Sequence, residues 1–198
     1  MPILYYVPII HSVEDYGSLG PAIRAAFTEK WGMEIDELQE EIRQYWQIVD
    51  KRIDKAIPDV RGLVVYQDSL PVGDRQKILA LFGYICQDNP ESQNFRLVKK
   101  LIDGGAVLEG TEDINLVMEQ LKIYQRALEA PSLTEQAKIL DENRARSDEI
   151  TKLRDKFIAK RVRDTLPEFG KGILFIGRSR DVISELEKLT DKFTIVCL

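Results

Sequence analysis

The sequence predicts an α/β fold: a mostly parallel sheet flanked by helices, with a helical excursion in the later half. Three observations carry this. Segments 3–10, 62–68, 106–109 and 172–177 are runs rich in apolar residues without polar alternation, as strands buried on both faces must be. Amphipathic stretches of about ten residues or more separate them, the spacing that parallel crossovers need. The chain has 198 residues, 44% of them hydrophobic, enough for one core spanning 1–198.

The elements follow in order. Segment 3–10 is apolar, β-branched and aromatic, and Pro8 places it at an edge or ends it there. Ser18 can cap a helix over 19–30. From 34 to 56, Ile35, Leu38, Ile42, Tyr45, Trp46, Val49 and Ile53 recur every three or four residues, the stripe of an amphipathic helix that Pro58 ends. The strand 62–68 leads into the turn chemistry of Pro71-Val72-Gly73-Asp74 and a helix over 75–86. A short helix over 94–102 stops at Gly104-Gly105. After strand 106–109, Thr111-Glu112-Asp113 opens a helix to about 128. Ser132 and Glu135 form a capping box whose helix runs to about 166. Its half before Glu149 is poor in apolar residues, whereas Ile150, Leu153, Phe157, Ile158, Val162 and Leu166 share one face later on. The first half therefore projects into solvent or meets a partner, and 116–149 reads as a helical hairpin inserted in the domain. Segments 172–177, 182–189 and 193–198 close the chain as strand, helix and strand.

Composition narrows the function. With 28 Lys+Arg against 33 Asp+Glu the net charge is −5, which excludes the basic surface of a general nucleic-acid binder. The apolar run 3–10 is too short to cross a bilayer and lacks a preceding basic region, so neither signal peptide nor anchor is expected. Cys86 and Cys197 lie far apart, which points to a reducing, cytoplasmic setting. One histidine and two distant cysteines cannot close a tetrahedral site, so no bound zinc is expected.

In open α/β sheets the functional crevice lies beyond the C-terminal strand ends. Here that selects 11–18, 68–74, 109–113 and 177–181, which hold the only histidine and many carboxylates, among them Glu14, Asp15, Asp68 and Asp74. His11 can act as a general base or a single ligand, or be a half-buried histidine bonded to backbone. Glu109, Glu112 and Asp113 offer the oxygen ligands that Mg²⁺ or Mn²⁺ prefer. The same acids equally suit the first turn of a helix capped by Thr111. Gly177, Arg178, Ser179 and Arg180, with Asp15 nearby, can form an anion site at a helix N-terminus. The alternative is an exposed turn whose arginines pair with Glu112, Asp113 or Asp15. The glycines and lysine of phosphate-loop and dinucleotide fingerprints are missing there. Arg154-Asp155 lies in a helix dense with both charges and reads as part of a solvated face.

The stretch Arg154-Asp155-Lys156-Phe157-Ile158-Ala159-Lys160-Arg161-Val162, followed by Gly172-Ile173-Leu174-Phe175-Ile176-Gly177, resembles the closing segment of the TraB/Tiki/ChaN-like superfamily. There an Arg-(Asp/Asn)-x-x-(apolar)-Ala helix precedes a strand ending in Gly-x-x-His. Ile9-Ile10-His11-Ser12 is similar to that superfamily's first motif, and Leu108-Glu109-Gly110-Thr111-Glu112 falls where it has a strand ending near a functional glutamate. The resemblance covers about 60 residues in three patches. It implies site roles for His11, for Glu109 or Glu112, and for Arg154, with metal-dependent peptide hydrolysis as the activity of Tiki-type members. Two positions depart from it: Pro8 replaces a glycine, and Arg180 stands where the second motif has histidine. A guanidinium is always cationic and cannot ligate a metal.

Three classes of function follow. The first is binding of a small anionic ligand through Arg178, Arg180 and the adjacent helix start. The second is a carboxylate-dependent hydrolase using His11 or a glutamate, with or without a divalent cation. The third is a non-catalytic protein whose charged 134–149 segment serves assembly; a homo-oligomer through the long helices is also expected.

Overall fold

Strands Ile3–Ile9 (β1), Val64–Gln67 (β2), Val107–Glu109 (β3), Lys171–Gly177 (β4) and Thr194–Cys197 (β5) form one sheet in the order β3-β2-β4-β1-β5. Every pairing is parallel, with Tyr6 opposite Leu174 and Val65 opposite Ile173. The computed structural model describes residues 1–15, 24, 36–190 and 192–198. The helix expected over 19–30, Arg24 apart, lies outside the described residues, as do the first two positions expected in the next helix.

The described helices are Asp36–Ala56 (α1), Arg75–Asp88 (α2), Gln93–Asp103 (α3), Ile114–Leu128 (α4), Leu133–Glu142 (α5), Arg144–Thr165 (α6) and Val182–Leu189 (α7). Side chains alternate across a strand, so each sheet face needs its own cover. Tyr5, Val7, Val65, Leu108, Ile173 and Phe175 pack against Trp46, Val49 and Ile53 of α1, Phe82 of α2 and Val98 of α3. Leu4, Val64, Tyr66, Leu174 and Ile176 face the other way, onto Ile158, Ala159 and Val162 of α6 and Leu186 of α7. Three layers result, helix–sheet–helix. Among the described residues no helix is long and apolar enough to cross a membrane.

Several sequence expectations sharpen here. Pro8 is tolerated because β5 pairs only as far as Tyr6, leaving β1 with one neighbour, Ile176, at that level. Asp74 and Ser92 cap α2 and α3, accepting from Gln76 and Lys77 and from Phe95. The single helix expected from 132 to 166 is instead two, broken at Asn143. The Asn143 amide donates to the Ile139 carbonyl at 2.8 Å, and asparagine side chains compete for backbone in this way where a helix ends. Ser132 caps α5 as expected, and α5 has no buried residue.

Candidate functional site

The chain leaves β2 toward β3 on one side and leaves β4 toward β5 on the other, although β2 and β4 are neighbours. Such a divergence opens a crevice at the C-terminal strand ends. Asp68 follows β2 there, and the 177–181 loop follows β4.

Two further elements deliver charge to it. The loop after β3 folds back over the loop after β2. Thr111 and Glu112 N–H both donate to the Leu70 carbonyl, at 2.8 and 3.0 Å, and Val72 N–H returns to the Glu112 carbonyl at 2.9 Å. Gly110 permits this approach, since a Cβ there would lie 2.3 Å from the Pro71 carbonyl oxygen. Ser69, at φ 64°, turns the chain sharply beside Asp68. Thr111 is not the helix cap; its hydroxyl is buried and donates to Gln67 O at 2.6 Å, while Asp113 caps α4 through Asn115 N–H at 2.8 Å. Glu112 therefore precedes the helix and points into the crevice, fully buried. From the other layer, α6 presents Arg154 and Asp155, which are buried rather than part of a solvated face.

The result is a network of two guanidiniums and three carboxylates. Arg154 grips Glu112 with two nitrogens, Nε at 3.0 Å, approaches Asp68 at 3.5 Å and donates to the Gln120 side-chain oxygen. Arg180 donates from Nε to Asp155 and from Nη1 to Asp68 at 3.2 Å, and lies 3.6 Å from Glu112. Asp68 also accepts from Gly177 N–H at 3.1 Å. Asp155 accepts from Asp181 N–H at 3.0 Å, so an internal carboxylate occupies the helix-start position expected for an anion. Burial pushes the Glu112 carboxyl above the ordinary range, against the pull of Arg154. Arg180 is 9% exposed, and its Nη2 is buried without a hydrogen-bond partner among the described residues.

An open cleft of about 690 Å³ adjoins this network. His11, Asp68, Arg178, Ser179 and Arg180 line one part of it, and Gln120, Tyr124 and Thr151 another. Arg178 is exposed and forms no ion pair among the described residues. His11 is half-exposed, its Nδ1 3.3 Å from Asp15. Tyr45 OH donates to Pro8 O and Trp46 Nε1 to Ile10 O at 3.2 Å, which fixes the strand end that carries it. Asp15 is itself held by Ser12 N–H at 2.9 Å and by Ser92 Oγ, so it orients His11 rather than facing the cleft.

The hydrogen bond to Asp15 outweighs burial and raises the His11 pKa above 6.5. A raised cationic pKa stabilises the fold most fully below about 6.5 and loses that contribution as pH rises through the folded value. NMR titration of this single imidazole is expected to give a midpoint above 6.5, falling back in Asp15→Asn. A wild-type midpoint at or below 6.5 would contradict the pairing.

The structure thus gathers His11, Glu112, Arg154, Gly177, Arg178, Ser179 and Arg180 around one crevice. Asp15 lies behind His11, held by Ser12 and Ser92, and Glu109 leaves the crevice altogether. Its neighbour Leu108 faces the first core, so alternation turns Glu109 away, to Arg161 Nη2 at 2.9 Å. Asp155 and Gln120 were missed. Arg154 and Asp155 sit four residues from Ile158 and Ala159 on the buried ridge of α6, a spacing that could have revealed them. Leu153, expected on that ridge, is 39% exposed.

Fold and site together define a parallel, doubly covered α/β protein with an ion-pair network at the strand-end switch point. No family model, curated protein or solved structure matches the chain.

Proposed function

We propose that the protein binds a small anionic ligand, carrying a carboxylate or phosphate group, in the cleft at the strand ends. One observation carries this reading: Arg178, which forms no ion pair among the described residues, lines the cleft beside Arg180, whose Nη2 is buried with no hydrogen-bond partner there. Buried donors are normally satisfied, and a guanidinium nitrogen left over favours a visiting acceptor. His11 adds a second cation at the rim as pH falls. Arg154 and Arg180 pair with Glu112, Asp68 and Asp155, two cations against three carboxylates, and serve to hold the wall rigid.

Calorimetric titration with inorganic phosphate, phenyl phosphate and succinate tests this. At least one is expected to bind, and Arg178→Ala to weaken it about tenfold or more, the effect of losing a charge-assisted hydrogen bond. No binding by any of the three, or an unchanged affinity in Arg178→Ala, would refute the reading.

A hydrolase is the second reading, favoured by the Asp15-oriented His11 beside the cleft. The metal-assisted form that the TraB/Tiki resemblance implies is less favoured, because the Arg180 guanidinium lies among Asp68, Glu112 and Asp155, where a cation would sit. Among the described residues no three His, Cys, Asp or Glu side chains are placed to hold a metal ion. Release of phenol from phenyl phosphate, lost in His11→Asn, would move the assignment to this class.

A further inference from the structure

The outer face of α4 carries an apolar stripe that no element among the described residues covers. Ile114, Met118, Leu121, Tyr124 and Leu128 are between 45% and 63% exposed, with Val117 half-buried beside them. At 3.6 residues per turn these six positions fall within about 120° of the helix circumference. The opposite side of α4 is already used: Gln120, Ile123 and Ala127 are buried. Lys122 and Arg126 lie about 100° and 140° from Leu121, clear of the stripe. Glu119 is bound within the chain by Arg146 at 2.7 Å.

The stripe has a symmetry that selects its occupant. Ile114 and Leu128 stand seven residues either side of Leu121, and Met118 and Tyr124 stand three either side. Reversing the helix direction about Leu121 therefore lays each of these five apolar side chains on another, while Val117 meets Gln125, a pattern that suits an isologous two-fold contact. The five exposed side chains present about 500 Å² of apolar surface, at the upper end for the largest patch of a typical monomer. Two copies would bury at most about 1,000 Å², the size of a weak, concentration-dependent interface.

We infer that the chain forms a two-fold dimer by antiparallel pairing of α4, with the axis passing through Leu121. Tyr124 belongs to both the stripe and the cleft wall, so the partner's helix bounds one edge of the cleft. The dimer does not depend on the ligand reading.

Sedimentation velocity over a concentration series tests it. The wild-type chain of 22.7 kDa is expected to reach twice that mass. Leu121→Glu and Leu121→Lys should each remain monomeric, with unchanged far-UV circular dichroism because the position is exposed. Mixed in equal amounts they should dimerise, since residue 121 meets residue 121 across the axis. Leu79→Glu, at an exposed apolar site on α2, should dimerise as wild type does. A wild type that stays monomeric, single variants that still pair, a mixture that does not, or a Leu79→Glu protein that loses the dimer would each overturn the inference.

Discussion

Arg154→Met is expected to lower the free energy of unfolding by about 3–5 kcal/mol, the cost of leaving a buried carboxylate without its partner. Glu112 is fully buried, and Arg154 supplies its two hydrogen bonds. Arg180, at 3.6 Å and committed to Asp155 and Asp68, cannot replace them. Methionine retains much of the aliphatic volume, so the loss reads the charge rather than a cavity. Urea denaturation followed by tryptophan fluorescence measures it. Adding Glu112→Gln to Arg154→Met should recover a large part of the loss, because the uncompensated charge is then gone. A loss below about 1 kcal/mol in the single variant would mean that the pair behaves as a solvated surface bridge. Arg180→Ala should follow the same logic through Asp155, whose side chain is 4% exposed.

Gly110→Ala is expected to cost about 3 kcal/mol, at the top of the range for overpacking. The added methyl would lie 2.3 Å from Pro71 O and 2.7 Å from the Val72 Cα, both backbone atoms, so no side-chain rotation relieves the clash. The loops after β2 and β3 would have to separate, breaking the bonds of Thr111 and Glu112 N–H to Leu70 O. Glu112 would then be displaced from Arg154, so ligand affinity should fall together with stability. Gly83→Ala is the control: nothing lies within 4 Å of its Cβ, and in the interior of α2 it should stabilise by about 0.5–1 kcal/mol. Equal effects of the two substitutions in urea denaturation would show that the loop contact is not tight.

The site was only partly legible beforehand. The strand-end rule selected His11, Asp68, Glu112 and Arg180, because it depends on sheet topology and the apolar runs announced a parallel sheet. Arg154-Asp155 resisted reading because a charged pair in a charge-rich helix looks solvated. Burial was decided by partners 25 or more residues away along the chain, from Asp68 to Arg180. Glu109 and Glu112 were interchangeable in sequence. Strand alternation and the backbone bridge between Pro71 and Glu112 separated them, sending one to Arg161 and the other to Arg154.

Local and periodic features were legible in the residues alone: the unbroken apolar runs of β1, β2 and β4, the cap at Ser132, and the buried face of α1. These depend on neighbours within a few residues, or on a repeat that every strand or helix must satisfy. Strand order, the break at Asn143 and the ion network emerge only once distant segments pack together. An ion pair acquires its meaning from desolvation, and which charges lose their water depends on how three layers close over one another.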